Sequence, residues 1–158
     1  MTWIVRISCA ATLAAGAASA QTVPAGWQVV KDNKNLCQMA VPADWVHDTL
    51  VKSFVASPDK TKKASAVIHA LAPNANYGQS MATAKQVMIP VKIIEDTPSR
   101  TWFSVARGNG KPGTSWYVGT NGGSQICTAQ IDFDDPAFEA TAKKIVDSVG
   151  LGPIGKAM

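Results

Sequence analysis

The side chains in this 158-residue sequence with the most chemical potential are two histidines, three cysteines and a short aspartate run. His47 and His69 are the side chains suited to act as a general base near neutral pH. A hydrolytic triad also needs a nucleophile and an orienting acid, and no Gly-x-Ser-x-Gly elbow is present. A hydrolase or small-ligand site would therefore have to be assembled from dispersed residues such as His47, His69 and Asp132. Neither histidine lies in a recognisable motif, so a surface or hydrogen-bonded structural role is expected for each. Their separation of 22 residues gives no metal-ligand spacing.

Asp132, Asp134 and Asp135 invite a calcium reading, but the run lacks the Asp-x-Asp-x-Asp-Gly order of a calcium loop. Asp135 is better explained as a helix cap. Gly119-Thr120-Asn121-Gly122-Gly123 lacks the Lys-Ser/Thr of a phosphate loop and reads as a turn between strands. Neither metal nor cofactor is expected. One constellation, Arg100, Trp102, Arg107, Trp116 and Tyr117, lies on adjoining segments and has the aromatic and arginine content of a binding surface. Alternation assigns these residues to both faces of a sheet. The favoured expectation is that Trp102 and Trp116 are core and that the arginines mark strand ends.

These residues must be positioned by short strands. Trp27 to Asp32 and Leu36 to Val41 flank the polar turn Asp32-Asn33-Lys34-Asn35. Pro42-Ala43-Asp44-Trp45 makes a turn, and strands are expected from about Thr49 to Ser57 and from Ala64 to Leu71. The period then changes: Ser80 is a plausible N-cap, and Met81, Ala84, Val87 and Met88 recur at helical spacing, as a core-facing stripe, until Pro90. Val91 to Thr97, Arg100 to Arg107, Thr114 to Thr120 and Ser124 to Phe133 return to period two. Their short connections suit an antiparallel meander. At the end, Asp135 caps a helix with Pro136 at its first position, and Phe138, Ala142, Ile145 and Val149 form its apolar stripe. Glu139 and Lys143 are spaced to pair, and Gly150 stands where a C′ glycine belongs. The fold class expected is α+β, a mainly antiparallel sheet flanked by a mid-chain and a C-terminal helix.

The first residues read as a cleavable export signal. Arg6 supplies the charge, Ile7 to about Gly16 is an apolar stretch too short to span a bilayer, and Ala18-Ser19-Ala20 suits signal peptidase. Cleavage after Ala20 leaves 138 residues, with residues 21–150 as one domain and 151–158 as a flexible tail. Cys9 precedes the apolar stretch, so lipidation is not expected. Loss of Arg6 takes the net charge from +4 to +3. Apart from Lys60, Lys62 and Lys63 the basic residues are scattered, which argues against nucleic-acid binding. No later segment suits membrane insertion.

Cleavage leaves two cysteines, Cys37 and Cys127, which form a disulfide most simply in an oxidising compartment. Alternation puts Cys37 on a face with Met39 and Val41, and Cys127 on a face with Ala129, Ile131 and Phe133. Both sulfurs are expected to point into the core, and closing so long a loop stabilises by about 4 to 5 kcal/mol in the chain-entropy model.

The order of elements, with Val41-Pro42-Ala43-Asp44-Trp45 near the front and Ala142-Lys143-Lys144-Ile145-Val146-Asp147-Ser148 near the end, resembles the Mog1/PsbP-like family. The likeness rests on a Pro-x-x-Trp element after an early strand and an Ile-x-x-Ser pattern closing the last helix. It implies an antiparallel sheet flanked by helices, used as an accessory or protein-binding module. The family has no shared catalytic residues to carry across. The expectation is thus an exported, periplasmic or secreted, non-catalytic accessory domain whose partner is another envelope protein. The alternative is a periplasmic small-ligand binder or hydrolase.

Overall fold

The computed structural model describes residues 23–59, 63–107 and 112–151. The expected export signal lies outside them, as do Lys60, Lys62 and all of the expected tail except Leu151.

Strands β1 (Trp27–Lys31) and β2 (Cys37–Pro42) form an antiparallel hairpin whose turn is built by one carboxylate. Asp32 accepts from the backbone N–H of Lys34 at 2.9 Å and from those of Leu36 and Cys37 at 2.7 Å. Asn35 takes the left-handed conformation (φ 56°) that asparagine tolerates. After β2, the Trp45 N–H donates to the Pro42 carbonyl at 3.1 Å, and the Gln28 amide donates to the Trp45 carbonyl at 2.6 Å. The Trp45 ring is buried and tilts against Phe138 at 6.4 Å. The Pro-x-x-Trp element therefore ties the hairpin to the C-terminal segment.

The strand expected over Thr49 to Ser57 is broken. The chain forms β3 (Val46–His47), turns, and resumes as β4 (Phe54–Ala56). The Asp48 carboxylate accepts from the Leu50 and Val51 N–H groups, each at 2.8 Å, and this local bonding outcompetes the β-propensity of the neighbouring Val and Phe. Next come β5 (Ala64–Ala70) and α1 (Tyr77–Met88). Helix α1 begins three residues before Ser80, because Asn76 accepts from the Gln79 N–H at 2.9 Å and is the actual cap. The earlier turn is held by Tyr77, whose hydroxyl bonds Thr101 Oγ1 at 2.9 Å and the Gly119 carbonyl at 3.1 Å.

The expected meander is present as β6 (Pro90–Asp96), β7 (Arg100–Val105), β8 (Thr114–Asn121) and β9 (Ile126–Phe133). Gly119 belongs to β8 and not to the turn that follows it, and its missing Cβ leaves room for the Met81 side chain of α1 against the strand. Strand β9 also pairs with β5, giving a seven-stranded antiparallel sheet of order β3-β4-β5-β9-β8-β7-β6.

Asp135 and Pro136 open a 3₁₀ turn, Pro136–Phe138, with the Ala137 N–H on the Asp135 carboxylate at 2.9 Å; helix α2 (Glu139–Ser148) follows. Its buried residues are Ala142, Ile145 and Val146. Lys143 pairs with Asp147 at 3.0 Å and not with Glu139. Gly150 is no left-handed cap: Val149 is extended, and Gly150–Leu151 form β10 against β2, opposite Gln38 and Cys37. Leu151, expected in the tail, is thus a strand residue. Ser148 serves the same edge of β2, its hydroxyl accepting from the Ala40 N–H at 2.8 Å and donating to the Ile145 carbonyl at 2.7 Å, with the Ala40 carbonyl 3.3 Å away. The Ile-x-x-Ser pattern is thereby a device that closes the helix onto the hairpin.

The three-stranded sheet β1-β2-β10 and α2 cover one face of the seven-stranded sheet, enclosing Met39, Val41, Trp102, Trp116, Ile131 and Ile145 among others. The Cys37–Cys127 disulfide joins β2 to β9 across this core, with Cα atoms 5.5 Å apart and both residues buried. Helix α1 lies on the opposite face, beside Thr101 and Gly119. Among the described residues no helix is long and apolar enough to cross a membrane.

Candidate functional site

The chain turns from α1 into β6 through a single residue, Ile89. Its N–H donates to the Lys85 carbonyl at 3.2 Å, closing the helix with φ at 50°. A β-branched residue in this left-handed region costs about 1–2 kcal/mol, which glycine or asparagine would largely avoid. Ile89 is also 74% exposed. Around it Val87 is 74%, Val91 71%, Ile93 50% and Ile94 39% exposed. Five of the ten large apolar side chains exposed among the described residues therefore fall within eight consecutive positions.

The core-facing stripe expected on α1 is accordingly corrected. Met81 is buried, but Val87 faces solvent. The reason is topological: β6 is the edge of the seven-stranded sheet, so the end of α1 overhangs an edge and not a sheet interior. Next to the ridge, between α1 and the sheet, runs a groove of about 500 Å³ lined by Leu71, Thr83, Ala84, Val87, Met88 and Tyr117. Gln79 and Ser80 line it too, so the groove's polar groups are hydroxyls and an amide, and ridge and groove together hold no histidine, cysteine or carboxylate. Their chemistry is the burial of an apolar partner. Polar anchors flank them: Lys85 pairs with Asp96 at 2.8 Å and holds that carboxyl below its ordinary value, while burial pushes the Tyr77 and Tyr117 hydroxyls up.

The five residues expected as a possible binding surface do not share one face. Trp102 and Trp116 are buried in the core, edge to face at 4.9 Å, with Lys143 Nζ 5.8 Å from the Trp102 ring centroid. Tyr117 lies on the other face, 5.2 Å from Phe103, and lines the groove. Arg100 bonds Glu95 at 2.6 Å and Asp147 at 3.1 Å, tying β6 and α2 to β7; the Glu95 carboxylate is the main cause raising its pKa. Arg107 pairs with Asp134 and donates to the Pro112 carbonyl at 3.1 Å, joining the ends of β7 and β9.

The dispersed polar residues are not brought together. His69 is exposed on β5 opposite Thr128, whereas Asp132 lies opposite Ser65, four residues or about 13 Å along the ladder. Asp132 accepts from Gln130 at 3.2 Å. His47 sits on β3 with Nδ1 3.0 Å from the Lys52 carbonyl. It lines a cleft of about 740 Å³ with Lys31, Asp32, Asn33, Asp48 and Lys52. Both carboxylates there are committed to turns, and backbone N–H groups of Val51 and Leu50 hold the Asp48 carboxyl below its ordinary value. Among the described residues no group of three or more His, Cys, Asp or Glu converges as a metal site would require.

No protein-family model matches the chain, and no curated protein does. Among solved structures it is similar to a protein of Bacteroides thetaiotaomicron VPI-5482, at 14% identity and a TM-score of 0.53, over 78% of this chain and 47% of that one. It thus spans about half the length of that protein. It is also similar to cyanobacterial PsbP (CyanoP) from Synechocystis sp. PCC 6803, at 10% identity and a TM-score of 0.49, over 82% of this chain and 94% of that one. These likenesses concern the fold alone. That fold is α+β, an antiparallel sheet with a mid-chain and a C-terminal helix, as the Mog1/PsbP-like resemblance implies.

Proposed function

We propose that this chain is an exported, non-catalytic accessory domain of the cell envelope that works as a protein-binding module. The observation that carries this reading is the exposed apolar ridge from Val87 to Ile94, set on an edge strand and centred on a strained Ile89. A residue that is both strained and exposed in the isolated chain is stabilised by burial against a second surface. The buried Cys37–Cys127 disulfide supports maturation in an oxidising compartment. The Arg6 to Ala20 pattern supports export, with a working domain that begins at residue 21 and runs through Leu151.

Capture from the native compartment tests the reading. Tagged wild-type protein is expected to retrieve a discrete partner, and the Ile93→Asp variant, folded by circular dichroism, to lose it. A partner set unchanged by Ile93→Asp would remove the ridge from the account.

A second reading, a small-ligand binder, is favoured by the cleft beside His47, where Lys31 and Lys52 offer donors to an anion. It predicts a bound small molecule in native mass spectrometry that is lost with Lys52→Ala.

A further inference from the structure

We infer that the surface covering the β6 ridge is a second copy of this chain, joined edge to edge across a twofold axis. This rests on the reading of the ridge as a docking surface and names its occupant.

The sheet has two edges. The β3 edge is two residues long, whereas the β6 edge runs for seven, from Pro90 to Asp96, with no strand on its outer side among the described residues. Pairing of β6 with β6 is therefore the self-association with the most backbone to offer. An isologous contact must be self-complementary, and β6 meets that condition. Placing the twofold between Ile93 and Ile94 in an antiparallel pair sets Lys92 of each copy opposite Glu95 of the other, whose Oε2 already accepts from Arg100, so the cross-copy contact falls to Oε1.

The faces agree. In the pairing with β7, Lys92 stands opposite Ser104 and Glu95 opposite Trp102, two positions on the same side of the sheet. A twofold perpendicular to the sheet keeps those sides together, so both cross-copy pairs form on one face. Ile93 and Ile94 meet at the axis, and the same register sets Val91 of each copy opposite Asp96 of the other, whose carboxylate Lys85 holds. The irregularities that interrupt the β6 and β7 pairing, between Pro90 and Lys92 and between Ile93 and Glu95, bend the strand. The one between Ile93 and Glu95 lies on the twofold itself and lets Lys92 and Glu95, three residues apart, share a side of the sheet, while the one beside Val91 keeps the inter-copy ladder short.

Sedimentation velocity of the purified protein over a roughly hundredfold concentration range tests this. Wild type is expected to sediment as a dimer at high concentration and to dissociate on dilution. Lys92→Glu, which places like charges opposite each other twice, is expected to weaken the dimer about tenfold. Ile93→Lys is a second variant at an exposed position, and both are expected to keep the wild-type circular dichroism spectrum. A wild-type protein that stays monomeric throughout, or a dimer indifferent to both variants, overturns the inference. If the monomeric protein still captures a different partner in an Ile93-dependent manner, the inference falls and the docking reading stands. If it captures none, both fall.

Discussion

Ile89 is where local physics and the observed residue disagree most sharply. A left-handed backbone and a solvent-facing side chain both favour asparagine at this position. Ile89→Asn is therefore expected to raise stability by about 1 kcal/mol in urea unfolding, while weakening partner capture. A destabilised variant would show that the isoleucine is held by contacts within the chain. Gly119 makes the opposite case, a position where the side chain is excluded. A Cβ there would fall on the Met81 thioether, so Gly119→Ala is expected to cost about 1 kcal/mol. Met81→Ala in the same chain should recover part of that cost, read as a coupling in a double-mutant cycle. The sequence could not announce either site, because Gly119 is distinguished only by what α1 lays across it. Asp135 was readable as a cap because its partner lies two residues away. Asp48 was equally local, yet the apolar residues around it read more strongly as a strand.

At the scale of elements, the meander and α2 were legible because hairpin connections and helix periodicity are local properties. The register of β5 against β9 was not, since α1 and three strands intervene between them. For the same reason the sequence did not reveal that β6 is an edge. Val87 and Met88 fit a helical stripe, but a stripe shows which residues share a side and not whether anything lies opposite. Ser148 illustrates how a short motif acquires meaning only from its neighbour: its hydroxyl accepts from the Ala40 N–H at 2.8 Å while donating to the Ile145 carbonyl at 2.7 Å. Ser148→Ala leaves the Ala40 N–H unpaired at a half-buried edge and is expected to cost about 1–2 kcal/mol in urea unfolding. An unchanged midpoint would mean that water replaces the hydroxyl without loss.

Across the whole molecule, the disulfide links the two sheets that enclose the core and closes a 90-residue separation. Its faces were readable from alternation, and the sulfurs are where that alternation puts them. Reduction is expected to lower stability by about 4 kcal/mol, measured in urea with and without dithiothreitol. The pH profile follows from groups shifted in the fold. Tyr77 and Tyr117 are raised above their ordinary value of 10.0 mainly by burial. Their contribution is complete below pH 10 and is lost as pH rises beyond it, because the unfolded chain ionises first. Asp96 is lowered from 3.8, chiefly by its hydrogen bond to Lys85, so its contribution is present above that value and lost as pH falls below it. Thermal melts are expected to show an alkaline decline that Tyr117→Phe makes shallower and an acid decline that Lys85→Met makes shallower.

A docking ridge is covered when the protein is in its native compartment. A photoreactive amino acid placed at Val91, 71% exposed in the isolated chain, reports this directly. Irradiation there is expected to give a discrete protein adduct that the same label at exposed His69 does not give. A Val91 label that yields no more adduct than the His69 label would contradict it.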